Sequence, residues 1–322
     1  MHCFTKIQEE IMDFKVKGGV YPTMITPYKN GQIDYETCER LVEWYWDMGC
    51  DGIFATCQSS EIFYLTPTER VLLTRTVIRK SRELAQKDKS REPMMIVASG
   101  HVSDSFEDQV AELNAIAKEG PDALILISNR MDIENTTDEK WIADTERLIS
   151  MLPENMPLGV YECPKPYKRL LSEKMVKWCA ENGRFYFIKD TCCDKDTVAK
   201  RVEWCCGSNL KIFNANGQTL LDTLRAGAFG YCGVMANFHP ELYVRLMRSD
   251  YSSDEAELLQ GYLGLASHLE MLTYPCCAKY YLNDIVGIPM QTYARSNDEA
   301  NLTDYQKHCI RQMATTYELM FK

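Results

Sequence analysis

Hydrophobic residues in this sequence form short, nearly continuous runs, and longer stretches of amphipathic character separate one run from the next. The runs are rich in Val, Ile, Leu and aromatic residues, which is typical of strands covered on both faces. They begin at Val20, Asp51, Met94, Asp122, Leu158, Phe185, Leu210 and Gly230, and they read VYPTMIT, DGIFAT, MMIVAS, DALILIS, LGVYE, FYFIKD, LKIFNA and GYCGVMA. The pattern therefore predicts eight buried strands.

The stretches between these runs carry the signals of helices. One begins at Thr66, where Pro67 takes the first helical position and Glu69 completes a capping box. Another begins with Asp34 as its N-cap and stops at Gly49. Four further segments repeat the scheme, namely SDSFEDQVAELNAIAKEG, TTDEKWIADTERLISML, SEKMVKWCAENG and TLLDTLRAGAFG.

Strands and helices that alternate strictly predict a parallel sheet with right-handed crossovers. Eight such units of this length fit a (β/α)8 TIM barrel, which usually has about 250 residues. A doubly wound open sheet is the alternative, and it is less favoured because no glycine-rich dinucleotide turn follows the first strand. After residue 240 only helical material remains. We therefore predict a single domain over residues 1–322, with a barrel over 18–248 and a helical C-terminal extension over 249–322.

The acidic balance of the chain limits its partners. The formal net charge is −10 and the pI is about 5.2, which argues against a nucleic acid or an anionic membrane as the main partner. It still allows a small anionic ligand in one local pocket. No hydrophobic run approaches the roughly 18 to 20 residues of a membrane span, and the N-terminal stretch MHCFTKIQEEIMDFKVKGG lacks the apolar core of a signal peptide. We expect a cytoplasmic protein.

Fourteen cysteines are present, and their spacing favours reduced thiols. Disulfide frameworks belong mainly to secreted proteins. Three pairs of cysteines here are adjacent in sequence, at 192–193, 205–206 and 276–277, which does not suit such a framework. The sequence contains no C-x-x-C, H-x-H or H-E-x-x-H motif, so we expect no metal site.

Two strand ends carry the residues with the clearest chemistry. In a barrel of this type, functional residues lie at the C-terminal ends of the strands. Predicted strand six ends in Lys189, which alternation places on one face with Phe185 and Phe187, and strand five ends in Tyr161. A polar turn, TCQSSE, follows strand two and contains Ser59. Lys189, Tyr161 and Ser59 are therefore the candidate catalytic residues.

A lysine beside a tyrosine at the mouth of a barrel suits imine chemistry. A lysine in water is almost entirely protonated at pH 7, and burial favours the neutral amine. Such an amine attacks a ketone to form a Schiff base, which stabilises a neighbouring carbanion or enamine. Tyr161 can shuttle the protons if a hydroxyl such as that of Ser59 poises it. The alternative is that Lys189 forms a structural ion pair with Asp190 or Glu61.

Motifs at these strand ends resemble those of a known family. The opening segment GGVYPTMITPYKNG, the turn CQSSE, and the stretches YECP and FIKDTCCD stand in the order of the motifs of the dihydrodipicolinate synthase and N-acetylneuraminate lyase family. Members of this family are Schiff-base aldolases. The resemblance extends from about Lys17 to Arg295. It implies that Lys189 forms the imine and that Tyr161 is the proton shuttle.

The resemblance also implies where a 2-oxo acid is held. The family binds the carboxylate of pyruvate with hydroxyls and backbone N–H groups of the turn after strand two. Here Gln58 and Ser59 take the places of two hydroxyl residues, and Ser60 takes the place of a glycine, which is expected to alter the backbone of the turn. Cys232 lies where strand eight contributes a backbone contact, and we interpret its side chain as a packed thiol. These four residues form the predicted carboxylate site.

Two further departures from the family concern the second substrate. The synthase branch has a tyrosine pair after strand four that completes a relay with a neighbouring subunit, whereas this chain has SNRMDIENTT there. That branch also has an arginine five residues after the shuttle tyrosine, a position occupied here by Pro166. These differences argue against dihydrodipicolinate synthase itself. Arg130 is a candidate replacement ligand for a charged acceptor, and a solvated loop arginine is the alternative.

We accordingly predict a class I aldolase or lyase that condenses or releases pyruvate, or a similar 2-oxo acid, with an aldehyde. The imine itself stabilises the developing charge, so no cofactor or metal is expected. The alternative, motivated by the altered turn and the missing tyrosine, is a catalytically impaired member that binds a small 2-oxo acid as a sensor or structural subunit. The resemblance further implies a homo-oligomer, either a tetramer or a dimer.

Overall fold

All eight predicted strands form one parallel sheet in the computed structural model, which describes residues 14–322. The prediction that the N-terminal stretch holds no secretory signal falls largely outside these described residues. The strands are β1 (Gly19–Val20), β2 (Gly52–Phe54), β3 (Met95–Ala98), β4 (Ala123–Ile127), β5 (Leu158–Tyr161), β6 (Phe185–Asp190), β7 (Lys211–Asn214) and β8 (Gly230–Tyr231).

A helix follows each strand, and three more helices form the C-terminal extension. The barrel helices are α1 (Tyr35–Asp47), α2 (Pro67–Lys87), α3 (Phe106–Ala117), α4 (Asp138–Ile149), α5 (Glu173–Asn182), α6 (Lys195–Trp204), α7 (Leu220–Arg225) and α8 (Pro240–Arg248). The extension has α9 (Asp254–Ala266), α10 (Cys276–Tyr281) and α11 (Asp304–Phe321). Single 3-10 turns lie at Ile62–Tyr64, Ser128–Arg130, Val234–Asn237, Ser267–Met271 and Glu299–Asn301, a π-helical turn at Leu282–Val286, and a hairpin at Tyr28–Lys29 and Gln32–Ile33.

The strand edges meet, so the sheet is closed into a barrel. Neighbouring strands are hydrogen-bonded in the order β1-β8-β7-β6-β5-β4-β3-β2. Between β1 and β2, the Asp51 N–H donates to the Val20 carbonyl (3.1 Å) and the Phe54 N–H donates to the Pro22 carbonyl (3.0 Å). A parallel bridge between Thr23 and Phe54 continues this pairing. The predicted (β/α)8 barrel with a helical C-terminal extension is confirmed, and the open sheet is excluded.

Local capping sets the starts of the helices as the sequence indicates. The Asp34 carboxylate accepts from the Thr37 N–H at the start of α1. Thr66 and Glu69 form both halves of the capping box of α2, and Ser105 caps α3. These side chains satisfy amides that the first helical turn leaves without partners.

Helix α6 was not identified from the hydrophobic pattern. Only Val198 and Arg201 are buried in it, so its apolar stripe is too sparse to give a helical period. Its N-cap is clear in the structure, where the Asp194 carboxylate accepts from the Thr197 N–H at 2.8 Å. A buried arginine on its inner side takes the place of a hydrophobic residue.

A β-bulge at the start of β6 changes which side chains face the barrel interior. The pairing of β5 with β6 skips Tyr186, so that Phe185 and Phe187 pair with consecutive residues of β5. Phe185 therefore packs outward against Trp178, with ring centroids 5.5 Å apart, and Phe187 packs inward. The prediction that Phe185, Phe187 and Lys189 share one face is wrong for Phe185, because one extra residue reverses the alternation.

Ion pairs attach the C-terminal extension to the carboxyl end of the barrel. Lys279 on α10 is fully buried, and its ammonium lies 3.3 Å from the carboxylate of Glu61 in the turn after β2. The same Nζ donates to the Tyr293 carbonyl at 2.6 Å. Arg295 pairs with Glu69 at the start of α2 (2.7 Å). The extension is thereby held beside the strand ends.

Three properties of the described residues bear on the broader predictions. No helix among them is long and apolar enough to cross a membrane. Within residues 14–322, the structure contains no cluster of three or more His, Cys, Asp or Glu side chains placed to hold a metal ion. The thirteen cysteines in this part of the chain are free thiols.

Candidate active site

A cavity of about 300 Å³ opens at the carboxyl ends of the strands. Four of the residues predicted from the sequence line it, namely Gln58, Ser59, Tyr161 and Lys189. Lys189 and Tyr161 are directly paired in the register of β5 and β6, so the barrel itself brings the two side chains together. This is where parallel strands of a barrel deliver functional residues.

The amine of Lys189 is buried against aromatic rings. The residue is 3% exposed, and its Nζ lies 4.1 Å from the ring centroid of Tyr161 and 5.6 Å from that of Phe54. Of the carboxylates in residues 14–322, none lies within ion-pairing distance of it. The structural ion pair considered for Lys189 is not formed, because Asp190 pairs with Arg201 and Glu61 pairs with Lys279.

Tyr161 is held as a neutral phenol. Its side chain is almost fully buried, and burial raises the pKa of Tyr161 well above its usual value. The ring meets Phe54 edge to face, with centroids 5.5 Å apart, and the hydroxyl contacts the thiol of Cys163. Among the described residues no direct hydrogen bond joins Tyr161 to Ser59. The phenol therefore stands beside the amine as an undissociated proton donor.

A buried guanidinium ties the two strand ends together. Arg201 on α6 lies 2.7 Å from the carboxylate of Glu162 and forms a second ion pair with Asp190. These carboxylates belong to the residues that follow Tyr161 and Lys189. All three charged side chains are at most 1% exposed. The cluster fixes the spacing of the strand ends at the level of the cavity.

In the turn after β2, the residues predicted to bind the substrate carboxylate fall into two groups. Gln58 and Ser59 line the cavity, and the Ser59 hydroxyl donates to the Thr23 hydroxyl at 2.9 Å. Ser60 instead folds back, with its hydroxyl donating to the Cys57 carbonyl (2.8 Å) and accepting from the Cys57 N–H (2.6 Å). Its side chain closes the turn from within, so the predicted side-chain contact of Ser60 with a ligand does not fit this geometry.

Cys232 lies behind the cavity wall. It is fully buried, and its N–H donates to the Asn214 carbonyl at 2.8 Å as part of the sheet. Gly233 and Val234, which follow it, line the cavity. The side chain is a packed thiol, as interpreted from the sequence, and burial raises its pKa to about 12.

Arg130 does not reach this cavity. Its guanidinium pairs with Asp104 at 2.8 Å and donates to the Val102 carbonyl at 3.2 Å. Asp104 and Val102 belong to the loop after β3. Arg130 and Asp104 line a separate depression that also includes Lys140 of α4. Arg130 therefore joins the turn after β4 to the loop after β3, and neither the ligand role nor the solvated arginine of the sequence analysis matches its 5% exposure.

The C-terminal extension supplies five cavity residues that the sequence analysis did not identify, and two of them carry ionisable groups. Tyr274 and Glu270 both line the cavity. In the described part of the chain, Glu270 has no hydrogen-bond or ion-pair partner, and burial raises its pKa to about 7 against the opposing effect of the Lys189 charge. Neither residue lies at a strand end, so only the packing of the extension brings them to the site.

Known proteins resemble this chain in sequence. A sequence model of the dihydrodipicolinate synthetase family matches residues 145–308, just over half of the chain. The 4-hydroxy-tetrahydrodipicolinate synthase of Nitratidesulfovibrio vulgaris is 26% identical over 251 residues, which cover 77% of this chain and 80% of that protein. The enzyme of the same name from Clostridium perfringens is 26% identical over 264 residues, or 81% of this chain and 85% of that one.

Solved structures share the fold. Dihydrodipicolinate synthase DapA-2 of Bacillus anthracis has a TM-score of 0.82 at 19% identity, over 94% of this chain and 99% of that one. The chloride-inhibited dihydrodipicolinate synthase of Acinetobacter baumannii, solved with pyruvate, has a TM-score of 0.80 at 19% identity, over 95% and 100% of the two chains. With the family match over residues 145–308, we conclude that the chain belongs to the dihydrodipicolinate synthetase family and is a carbon–carbon lyase.

Proposed function

We propose that this protein condenses or releases pyruvate, or a close 2-oxo acid, with an aldehyde through an imine on Lys189. The observation that carries the proposal is the position of Lys189 Nζ, which is buried in the cavity without an ion-pair partner in residues 14–322 and lies 4.1 Å from the ring centroid of Tyr161. A lysine kept for a structural role in such surroundings normally has a carboxylate partner.

The 2-oxo acid binds with its carboxylate against the turn after β2. Ser59 offers a hydroxyl and Gln58 a side-chain amide at the cavity wall, and exposed backbone N–H groups in turns of this kind favour anions. The keto carbon then faces Lys189. This orientation leaves the methyl group of pyruvate toward the open side of the cavity, where an aldehyde enters.

The chemistry needs only the groups of the protein and its two substrates. The amine of Lys189 adds to the keto carbon, and the resulting carbinolamine loses water to give the imine. Loss of a proton from the methyl group gives the enamine, which attacks the aldehyde carbon. Tyr161 protonates the hydroxyl that leaves as water, and the resulting phenolate takes the proton that the methyl group loses. The phenol then protonates the alkoxide formed on the aldehyde carbon. Water then releases the product and restores the amine.

The residues of the cavity define the aldehyde substrate less closely than the 2-oxo acid. The relatives are named 4-hydroxy-tetrahydrodipicolinate synthase, which supports a pyruvate-dependent condensation. The cavity wall contains Lys165, Lys168 and Glu270 but, within the described residues, no arginine. A mixed wall of this kind favours an aldehyde that carries hydroxyl groups over one that depends on a bidentate arginine clamp.

Borohydride trapping with pyruvate, measured by intact mass, tests the imine. We expect a reduced pyruvate adduct on the wild type and none on Lys189→Ala. Lys168→Ala is the matched control, because Lys168 lines the same cavity while its Nζ donates to the Thr191 carbonyl at 2.6 Å. The control should keep the adduct. An equal adduct on Lys189→Ala, or none on the wild type, contradicts the proposal.

The same purified proteins can be used to test the alternative that the chain binds a 2-oxo acid without turnover. Thermal stabilisation by pyruvate without a trapped adduct and without aldol product would support a sensor or structural subunit. Light scattering on the purified protein tests the homo-oligomer that the family resemblance implies.

A further inference from the structure

The hydroxyl of Tyr274 is placed at the polar end of the cavity. Tyr274 lies between the turn Ser267–Met271 and α10, and its half-buried ring lines the cavity. Its hydroxyl is within hydrogen-bonding reach of the hydroxyls of Ser59 and Thr23. Burial raises the pKa of Tyr274 well above its usual value, and these two hydroxyl contacts oppose the rise. The phenol is therefore neutral and able to donate.

Asn237 orients this hydroxyl. Its Nδ2 donates to the Tyr274 hydroxyl at 3.3 Å and to the Thr23 carbonyl at 2.9 Å. Its Oδ1 accepts from the Tyr45 hydroxyl at 2.5 Å. The amide is fixed in one orientation by these bonds, because only its nitrogen can donate. The Tyr274 oxygen thus accepts from Asn237, which leaves its own proton free to point toward Ser59.

Three hydroxyls consequently form a continuous chain, and two of them, those of Tyr274 and Ser59, belong to residues that line the cavity. The Tyr274 hydroxyl contacts Ser59, and Ser59 donates to Thr23 at 2.9 Å. Hydroxyl groups both donate and accept, so each can pass one proton on while it receives another. The segment after β4, at residues 128–137, contains no tyrosine, and Tyr161 has no direct hydrogen bond to Ser59 in the described structure. The serine therefore obtains its phenol partner from the C-terminal extension.

We propose that Tyr274 is a catalytic proton-relay residue that connects Ser59 and the bound substrate to water in the cavity. The inference rests on the proposed imine function. As the amine adds to the keto carbon, Ser59 gives a proton to the alkoxide of the developing carbinolamine and takes one from Tyr274, which takes one from cavity water. The water regains its proton from the positively charged nitrogen of the adduct. The reverse sequence carries a proton outward, and no hydroxyl remains ionised. Because Tyr274 belongs to the same chain as Lys189, each protomer contains its own relay.

Deuterium entry into the methyl group of pyruvate, followed by NMR in D2O, tests the relay separately from the imine. We expect Tyr274→Phe to slow deuterium entry at least tenfold, in line with the about 10² to 10⁴ that acid–base groups contribute. Borohydride trapping of pyruvate should be retained in this variant. A purely structural role for Tyr274 would reduce trapping and exchange in proportion, and would contradict the inference.

Tyr64→Phe is the matched control. Tyr64 lines the same cavity at its rim, is 46% exposed, and its hydroxyl bonds to none of the residues 14–322; exchange should match the wild type. If Tyr274→Phe exchanges as fast as the wild type, the relay is refuted while the imine proposal stands. If the wild type forms no adduct, the proposed function itself fails. Should Tyr274→Phe unfold, Ser59→Ala interrupts the chain from the barrel side, and unchanged exchange in that variant also refutes the relay.

A mixing experiment tests the assignment to one chain. Lys189→Ala lacks the amine and Tyr274→Phe lacks the relay, and the two variants are unfolded, mixed and refolded together. If the relay acts within one chain, every protomer in the mixture still lacks one of the two groups, so deuterium exchange does not recover. Recovery of exchange above the sum of the separate variants would show that the relay acts between chains.

Discussion

The buried guanidinium of Arg201 is the group whose removal tests the architecture of the site most directly. It joins Glu162 to Asp190, and these carboxylates follow Tyr161 and Lys189 in sequence. We consider Arg201→Met, which keeps most of the side-chain volume and removes the charge. The substitution leaves two carboxylates facing each other at zero exposure.

The expected loss of stability is large. Removing one partner from a buried ion pair costs about 3–5 kcal/mol, because the remaining charge is left without compensation in the interior. A typical domain has only about 5–15 kcal/mol of unfolding free energy. The carboxylates keep some donors, since Glu162 accepts from the Leu171 N–H at 2.7 Å and Asp190 accepts from the Cys192 N–H at 2.8 Å. The variant is therefore expected to fold, but with a strongly reduced free energy of unfolding.

The loss should depend on pH with a defined sign. Burial and the Asp190 charge already raise the pKa of Glu162 to about 7, against the lowering effect of Arg201. Without the guanidinium, the pKa of Glu162 rises further in the folded state. The folded variant then holds protons that the unfolded chain has released, so its unfolding free energy falls as pH rises. The difference from the wild type is smallest near pH 5 and largest near pH 8.

Urea unfolding at pH 5 and pH 8 measures this difference. The triple variant Arg201→Met, Glu162→Gln, Asp190→Asn replaces all three charges and should recover stability at pH 8. Arg245→Met is an exposed control, since Arg245 pairs with Glu255 at the surface at 2.5 Å and such pairs contribute about 1 kcal/mol or less. A loss that is equal at the two pH values, or no greater than that of the control, would refute the reasoning.

Two further predictions concern a charge at the cavity and packing inside the barrel. Glu270→Gln should raise the unfolding free energy, measured in urea, more at pH 8 than at pH 5. Burial raises the pKa of Glu270 to about 7 against the Lys189 charge, so the folded wild type retains a proton that the unfolded chain releases near pH 4.5. Equal effects at both pH values would contradict this. Gly159→Ala should lower the unfolding free energy by about 1–3 kcal/mol, since its Cβ would lie 2.6 Å from Cδ1 of Ile125, whereas Gly261→Ala, with nothing within 4 Å, should not destabilise.

The sequence by itself determined the barrel and its central pair of residues. Alternation of apolar runs with capped helices predicts eight βα units, and parallel strands of successive units are neighbours, so their carboxyl ends converge. Lys189 and Tyr161 end β6 and β5 and are paired in the structure. These features depend on periodicity and on short-range capping, which the sequence carries locally.

Tertiary structure decided which groups surround that pair. Lys189 is followed in sequence by Asp190. Long-range packing places the Asp190 carboxylate against Arg201 of α6, so the lysine has no ion-pair partner among the described residues. Arg130, which the sequence offers as a ligand, is paired instead with Asp104 in the neighbouring loop after β3. The choice among competing partners depends on which groups lose water together, and no local pattern records it.

The position of the C-terminal extension also depends on contacts that local sequence patterns do not record, here between segments far apart in the chain. Tyr274 lies more than 200 residues from Ser59 in sequence, in a segment that local signals identify only as helical. Its hydroxyl reaches the cavity because the buried pair of Lys279 and Glu61 holds the extension against the turn after β2. Periodicity determines which face of an element is buried, whereas the identity of the opposing surface depends on contacts between distant segments that only the folded chain brings together.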